Sequence, residues 1–209
     1  MAKAEKTAEK TMDAIALLKA DHRAVEDLFE KFEKAREASR KGEIARKICH
    51  ELIVHSLIEE EIFYPAVRDK VEDDLLDESY VEHDGAKMLI AEILNGSPED
   101  EFYDAKVKVL KEEIKHHVKE EEKPGEGLFS QTRQAAEKAA RTRKAAEKDA
   151  EIDLDDLGAA MQARKDEAMP MVEAEGAAII ETRSFHGAPP KQGTPPAYQP
   201  ASPEPGFAD

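Results

Sequence analysis

Two stretches of this chain share a spacing that can do chemistry: His55-Ser-Leu-Ile-Glu59-Glu-Glu and His117-Val-Lys-Glu-Glu121-Glu-Glu. On an α-helix, residues four apart lie on one face, so each stretch sets an imidazole beside a carboxylate, a two-toothed grip for a cation. A single such pair in so acidic a chain is ordinarily a surface ion pair. The register of these two argues otherwise. Val107, Leu110, Ile114, His117 and Glu121 keep steps of three and four, as do Ile44, Ile48, Leu52, His55 and Glu59, so both pairs continue an apolar stripe. His22 lies between Leu18 and Val25 on a third stripe, and His83 between Tyr80 and Ile90 on a fourth.

Four helices are therefore expected to aim His22, His55, Glu59, His83, His117 and Glu121 at one core. Burying such a group unpaired costs on the order of 2 to 5 kcal/mol, and a bound cation would compensate all six together. Imidazole and carboxylate without thiolate suit iron or manganese, with zinc as a further option, and two carboxylates among four imidazoles suit a two-metal centre. Cys49, the one cysteine, is off the register of Ile48 and Leu52 and is a poor ligand. His116 with Glu120 is a rival pairing one residue out of phase, on a face shared with Val109 and Glu113. His50 and His186 have no matching carboxylate.

The elements that must carry these groups follow from periodicity and stop signals. The first helix is expected over roughly 12–38 and the second over 43–64, ending at Phe63-Tyr64-Pro65. A third runs from about Leu75 to Leu94 before Asn95-Gly96, and a fourth starts at Ser97-Pro98-Glu99-Asp100 and runs past Glu121 to Lys123-Pro124-Gly125. Short connections make neighbours antiparallel, so the fold class is all-α, an up-down four-helix bundle over 12–124. Residues 125–170 form a helical extension: an Ala, Lys, Glu and Arg-rich helix on the surface over about 128–150, then a short amphipathic one through Leu154, Leu157 and Met161. Seven of the eleven prolines fall between Pro189 and Pro205, and 171–209 is expected to be a mostly disordered tail with little apolar burial.

Composition agrees. Charged residues are 37% and aromatics 5% of the chain, which suits long charged helices better than a β-sandwich. A net charge of −16 repels phosphate backbones and anionic membranes, so neither nucleic acid nor membrane is an expected partner. One cysteine permits no internal disulfide, and the first residues hold no continuous apolar run, so a cytoplasmic location is expected.

As a set, Asp21-His22, the run His55 to Pro65 (HSLIEEEIFYP), Glu82-His83 and the run His116 to Glu122 (HHVKEEE) resemble the hemerythrin-like HHE cation-binding family over about residues 12–130. The later Leu157-Gly158-x2-Met161-x2-Arg164-Lys165 is similar to a segment that often follows that domain in bacterial members. The resemblance implies two carboxylate-bridged iron ions, with His22, His55, His83 and His117 as terminal nitrogen ligands and Glu59 and Glu121 as bridges. It implies a protein that binds or senses oxygen, peroxide or nitric oxide. A di-iron enzyme acting on peroxide or oxygen, and an iron-buffering or structural helical protein, are the alternatives. Oxygen-carrying hemerythrins place two histidines on the third helix, whereas Ser79 and Lys87 stand four residues either side of His83 here. One nitrogen ligand is thus missing, and the centre is expected to be more open unless Glu60, Tyr64, Tyr80 or Glu82 closes it. Lys123-Pro124-Gly125 also stands where the second helix has Phe63-Tyr64-Pro65, so the fourth helix should end sooner after its pair.

Overall fold

The computed structural model describes residues 12–141 and 152–184, and all regular structure among them is helical. In chain order the elements are α1 (Ala14–Lys34), α2 (Ala38–Ile58), a π turn (Glu59–Phe63), α3 (Tyr64–Val67), a 3-10 turn (Arg68–Lys70), α4 (Asp73–Asn95), α5 (Tyr103–Glu121), α6 (Leu128–Arg141), α7 (Leu154–Glu175) and a 3-10 turn (Gly176–Ile179). Helices α1, α2, α4 and α5 form the four-helix bundle, and α7 packs across α1 and α2. None of the described helices is long and apolar enough to cross a membrane.

Local chemistry fixes the ends. Asp13 caps α1 by accepting from the Ala16 amide at 2.8 Å, and Lys31 and Lys34 face the negative end of the same helix. Asp73 and Asp74 occupy the first turn of α4, which stops at Gly96. Asp153 caps α7 by accepting from the Asp155 and Asp156 amides at 3.0 and 3.1 Å.

The core is split in two. One apolar cluster includes Val25, Leu52, Ile90 and Leu110, and the other Leu18, Ile58, Leu76 and Met161. Along each bundle helix the buried histidine separates a residue of one cluster from a residue of the other or from a glutamate, as in Leu18, His22, Val25 on α1. A polar layer therefore crosses the middle of the bundle.

Three departures from the sequence expectation have physical causes. The second helix does not stop at Pro65. It starts at Ala38, widens into the π turn and resumes as α3, where proline at the first turn has no amide to waste. The fourth helix starts at Tyr103 and not at Ser97, because Asp100 accepts from the Ser97 amide at 2.8 Å and Ser97 Oγ from the Glu99 amide at 3.3 Å, closing a turn that competes with helix. The expected tail boundary at 171 falls inside α7: Val172 is fully buried, Ile180 nearly so, and both join the first apolar cluster. Helix α6 also does more than lie on the surface, since Leu128 and Phe129 at its start are buried in the second cluster. Residues 185–209, with the proline-rich stretch and His186, and residues 142–151 of the expected surface helix lie outside the described residues.

Burying Val172 and Ile180 is worth about 1.5–3 kcal/mol each as an upper estimate, and in a chain of this size 1 kcal/mol moves Tm by roughly 2–4 °C. A chain ending at residue 170 should therefore melt at least about 5 °C below one ending at 184. Thermal unfolding by circular dichroism measures this, and equal midpoints would show that 171–184 adds no stability.

Candidate metal centre

All six sequence-selected groups meet in the polar layer, none more than 6% exposed. His22 Nε2 and His55 Nε2 are 3.2 Å apart, and so are His83 Nε2 and His117 Nε2. Glu59 Oε2 lies 3.2 Å from His55 Nε2 and 3.3 Å from His83 Nε2, tying one pair to the other. Glu121 Oε2 does the same from the opposite wall, 3.4 Å from His22 Nε2 and 3.5 Å from His117 Nε2. Two clusters with metal-ligand spacing result: His22, His55, Glu59 and Glu121, and Glu59, His83 and His117. The two registers differ in burial, for His116 is exposed and Glu120 half-buried while His117 and Glu121 are enclosed. His50 is buried but away from the cluster, and Cys49 lies wholly within the apolar core.

Each imidazole is held from behind. His22 Nδ1 donates to Glu122 Oε1 at 2.8 Å, His83 Nδ1 to Glu60 Oε1 at 3.0 Å and His117 Nδ1 to Glu82 Oε2 at 2.8 Å. His55 Nδ1 faces Asp21 Oδ2 at 3.6 Å, an ion-pair distance and too long for a hydrogen bond, and neither atom has another partner. Every one of these carboxylates is the chain neighbour of a metal-site residue on its own helix, yet it serves the histidine of the next helix. Asp21 of α1 serves α2, Glu60 beyond α2 serves α4, Glu82 of α4 serves α5, and Glu122 after α5 serves α1. The ring closes around the bundle. The sequence alone marks Glu60 and Glu82 as unassigned neighbours of the site and gives no role to Asp21 or Glu122. Their position beside a ligand residue is the available signal.

Carboxylates accept and do not donate, so the Nδ1 atoms of His22, His83 and His117 carry protons, and when those rings are neutral their Nε2 lone pairs turn inward. Two lone pairs facing each other at 3.2 Å repel unless a cation stands among them. Imidazole nitrogens sharing one first-row ion at roughly 2.0–2.1 Å are about 3 Å apart, close to the spacing found. Glu59 Oε1 and Glu121 Oε2 are buried with no hydrogen-bond partner, which leaves carboxylate oxygens free for the same purpose. The donor set fits two bridged cations.

Protonation points the same way. Burial works against an imidazolium at His55, but Glu59 and Asp21 outweigh it and hold the pKa at about 10. Burial likewise opposes charge on His83, and Glu59 with Glu60 raises it to about 9. Burial would keep Glu59 protonated, and His55 and His83 instead hold its carboxyl well below the usual range. Without metal, protons supply the missing positive charge.

The expected opening beside His83 is filled. Tyr64 Oη lies 3.3 Å from Glu59 Oε2, 3.2 Å from Glu121 Oε1 and 3.4 Å from His83 Nε2, and it also contacts Ser79, the position where a second histidine is missing. The π turn makes this possible. Its i→i+5 bonding holds more residues per turn than an α-helix, so Tyr64 comes back over the face of Glu59, and Glu59 and Glu60 are both buried. Burial and the two carboxylates push the Tyr64 phenol well above its ordinary pKa, so it keeps its proton.

On the side of the histidines away from Glu59 and Glu121 is a cavity of about 20 Å³ with Val25, Leu52, Ile90 and Ile114 in its wall, room for about one water-sized molecule. A larger cleft of about 470 Å³ runs along α1 and α5 with Arg23, Lys115 and Lys119 on its sides. His22, Ile114 and Val118 line both, and so form the wall between them.

Residues 13–124 match the family model described as the hemerythrin HHE cation binding domain. A crystal structure of a hemerythrin HHE cation binding domain-containing protein from Mycobacterium kansasii is similar in fold, with a TM-score of 0.57 and 18% identity over 78% of this chain and 91% of that one. No curated protein matches the chain.

Metal must displace the protons on His55 and His83, since both pKa values lie above 7. Titrating zinc into metal-free protein at pH 7 should release about two protons per chain, read by calorimetry in buffers of different ionisation enthalpy. The raised pKa values also give the metal-free fold stability that is complete below the unfolded value near 6.5 and is lost as pH rises through about 9 and about 10. Its Tm should fall between pH 7 and pH 10. A flat profile and no proton release would mean that these histidines are neutral without metal.

Proposed function

This chain belongs to the hemerythrin HHE cation binding domain family, and from that premise we propose that it holds two carboxylate-bridged iron ions and uses them to bind or sense oxygen, peroxide or nitric oxide. His22 and His55 would hold one ion and His83 and His117 the other, with Glu59 and Glu121 as the carboxylates shared between them. The observation that carries the reading is the pairwise inward facing of four Nε2 atoms, three of them on rings whose Nδ1 donates to a carboxylate of the surrounding ring. When bound, such ions supply electrons and Lewis acidity to a small ligand.

The chain's own residues set what can reach them. The small cavity admits a diatomic or peroxide, and Val25, Leu52, Ile90 and Ile114 keep bulk water away from it. Val118 and Ile114 separate it from the cleft outside. On the other side Tyr64 Oη excludes water and holds a proton within reach of both bridging carboxylates. That phenol supports a second reading, an enzyme that consumes peroxide or oxygen, in which Tyr64 would act as a hydrogen-bond donor beside the centre.

Anaerobic iron loading with metal analysis, followed by stopped-flow mixing with oxygen, peroxide or nitric oxide, tests both readings. His55→Ala and His117→Ala should lose most of their iron and His50→Ala should keep it. Val118→Phe should keep its iron and react with nitric oxide severalfold more slowly. Equal iron in all four variants would sink the proposed ligand set, and full recovery of the starting spectrum after argon purging of the oxygen adduct would restore carriage as the function.

A further inference from the structure

The family match ends at residue 124, yet the chain beyond it returns to the carboxylate ring. At Gly158 a Cβ would sit 2.3 Å from the Met12 carbonyl oxygen and 2.7 Å from the Ala14 amide nitrogen, so glycine alone lets α7 pass this close to the start of α1. Met161, fully buried, fixes the same crossing from within the second apolar cluster. With α7 so placed, Arg164 forks onto Glu61 at 2.7 and 3.3 Å, and Lys165 bonds Asp21 Oδ1. The motif that the bundle left unexplained is thereby accounted for residue by residue.

After α7 the chain is anchored a second time. Asp84, fully buried, accepts from the Arg183 amide at 2.8 Å and from Ser184 Oγ at 2.7 Å. This sets Arg183 Nε 3.1 Å from Glu60 Oε2, while Lys87 and His83 Nδ1 share Glu60 Oε1 at 2.6 and 3.0 Å. Two of the four ring carboxylates thus receive a cation from outside the bundle, and each serves a histidine of a different pair.

Resting on the two-ion reading above, we propose that the C-terminal extension is part of the metal centre, with Lys165 and Arg183 as positioning residues that hold Asp21 and Glu60 against the Nδ1 atoms of His55 and His83. The effect is electrostatic and geometric. Lys165 occupies one oxygen of Asp21, which leaves the other facing His55. Without that cation a mostly buried carboxylate turns toward solvent, and His55 loses the negative charge that faces its Nδ1. Arg183 holds the other oxygen of Glu60, opposite the one that Lys87 and His83 share, and so sets the angle at which that carboxylate meets His83.

Arg164 supplies the control. Its partner Glu61 is half exposed and belongs to none of the four imidazole contacts, so Arg164→Met removes an ion pair of the extension without touching the ring. Zinc affinity by chelator competition, retained iron, and the ring-nitrogen shifts of His55 and His83 in the metal-free protein are the readouts. Lys165→Met and Arg183→Met should each lose about tenfold in affinity, the lower end of what outer partners of a ligand cost. Their ring shifts should move at His55 and at His83 respectively, and Lys165→Arg should keep most of the affinity and of the His55 shift that Lys165→Met loses. Arg164→Met should stay near wild type in affinity even where its Tm falls. Equal losses in Lys165→Met and Arg164→Met, or none in either, would overturn the proposal while wild type still takes up two ions. Wild type taking up no metal would overturn the two-ion reading along with it.

Discussion

Everything in this bundle is arranged around charge that has been taken out of water. Six ionisable groups lie in a layer between two apolar clusters, with four carboxylates at their backs. Isolated buried charges of this number would outweigh the stability of an ordinary domain. The layer survives because each of its carboxylates has an oxygen facing an imidazole, a phenol or a cationic side chain, and because the compensation is shared. Each bundle helix gives a histidine to the centre and a carboxylate to its neighbour, so the polar contacts run from α1 to α2, α4, α5 and back. Where side-chain packing would otherwise hold helices together, a closed circuit of ion pairs does so.

The circuit explains the irregularities nearby. An α-helix cannot turn Glu59, Glu60 and Tyr64 inward together, and the π turn can. The extension adds to the circuit from outside, with Lys165 of α7 on Asp21 and Arg183 on Glu60, where Lys87 of α4 also meets Glu60. The missing histidine beside His83 is offset by a phenol that donates one proton between two carboxylates and stays neutral while doing so.

The six groups at the centre are legible because core register is a one-dimensional property: a histidine and a glutamate on an apolar stripe can be read without knowing where the other helices stand. Asp21 and Glu122 cannot be read that way. Each sits one residue off its stripe, where a carboxylate ordinarily meets solvent, and its purpose shows only once the neighbouring helix is in place. The π turn is hidden for a related reason, since Ile58, Ile62 and Phe63 fit an α-helical stripe ending at proline as well as they fit a widened one. The start of α5 differs from its expected place because Ser97 and Asp100 carry the residue types of a helix cap and use them to close a turn. Proline density, which begins at Pro189, is a poor guide to the tail boundary, because the burial that anchors the chain comes from Val172 and Ile180.

The histidine pairing has a consequence for the symmetry of the layer. Both members of each pair come from one antiparallel hairpin, α1 with α2 and α4 with α5, at separations of 33 and 34 residues, and in both hairpins an acidic residue precedes the first histidine while a glutamate follows the second by one turn. Each hairpin therefore supplies the same kinds of group to the layer from its own side. The two differ at Tyr64, which has no counterpart in the second hairpin, because α5 ends at Glu121 and the Lys123-Pro124-Gly125 turn follows. The two ends of the layer are thereby chemically unequal, with a phenol at one and none at the other.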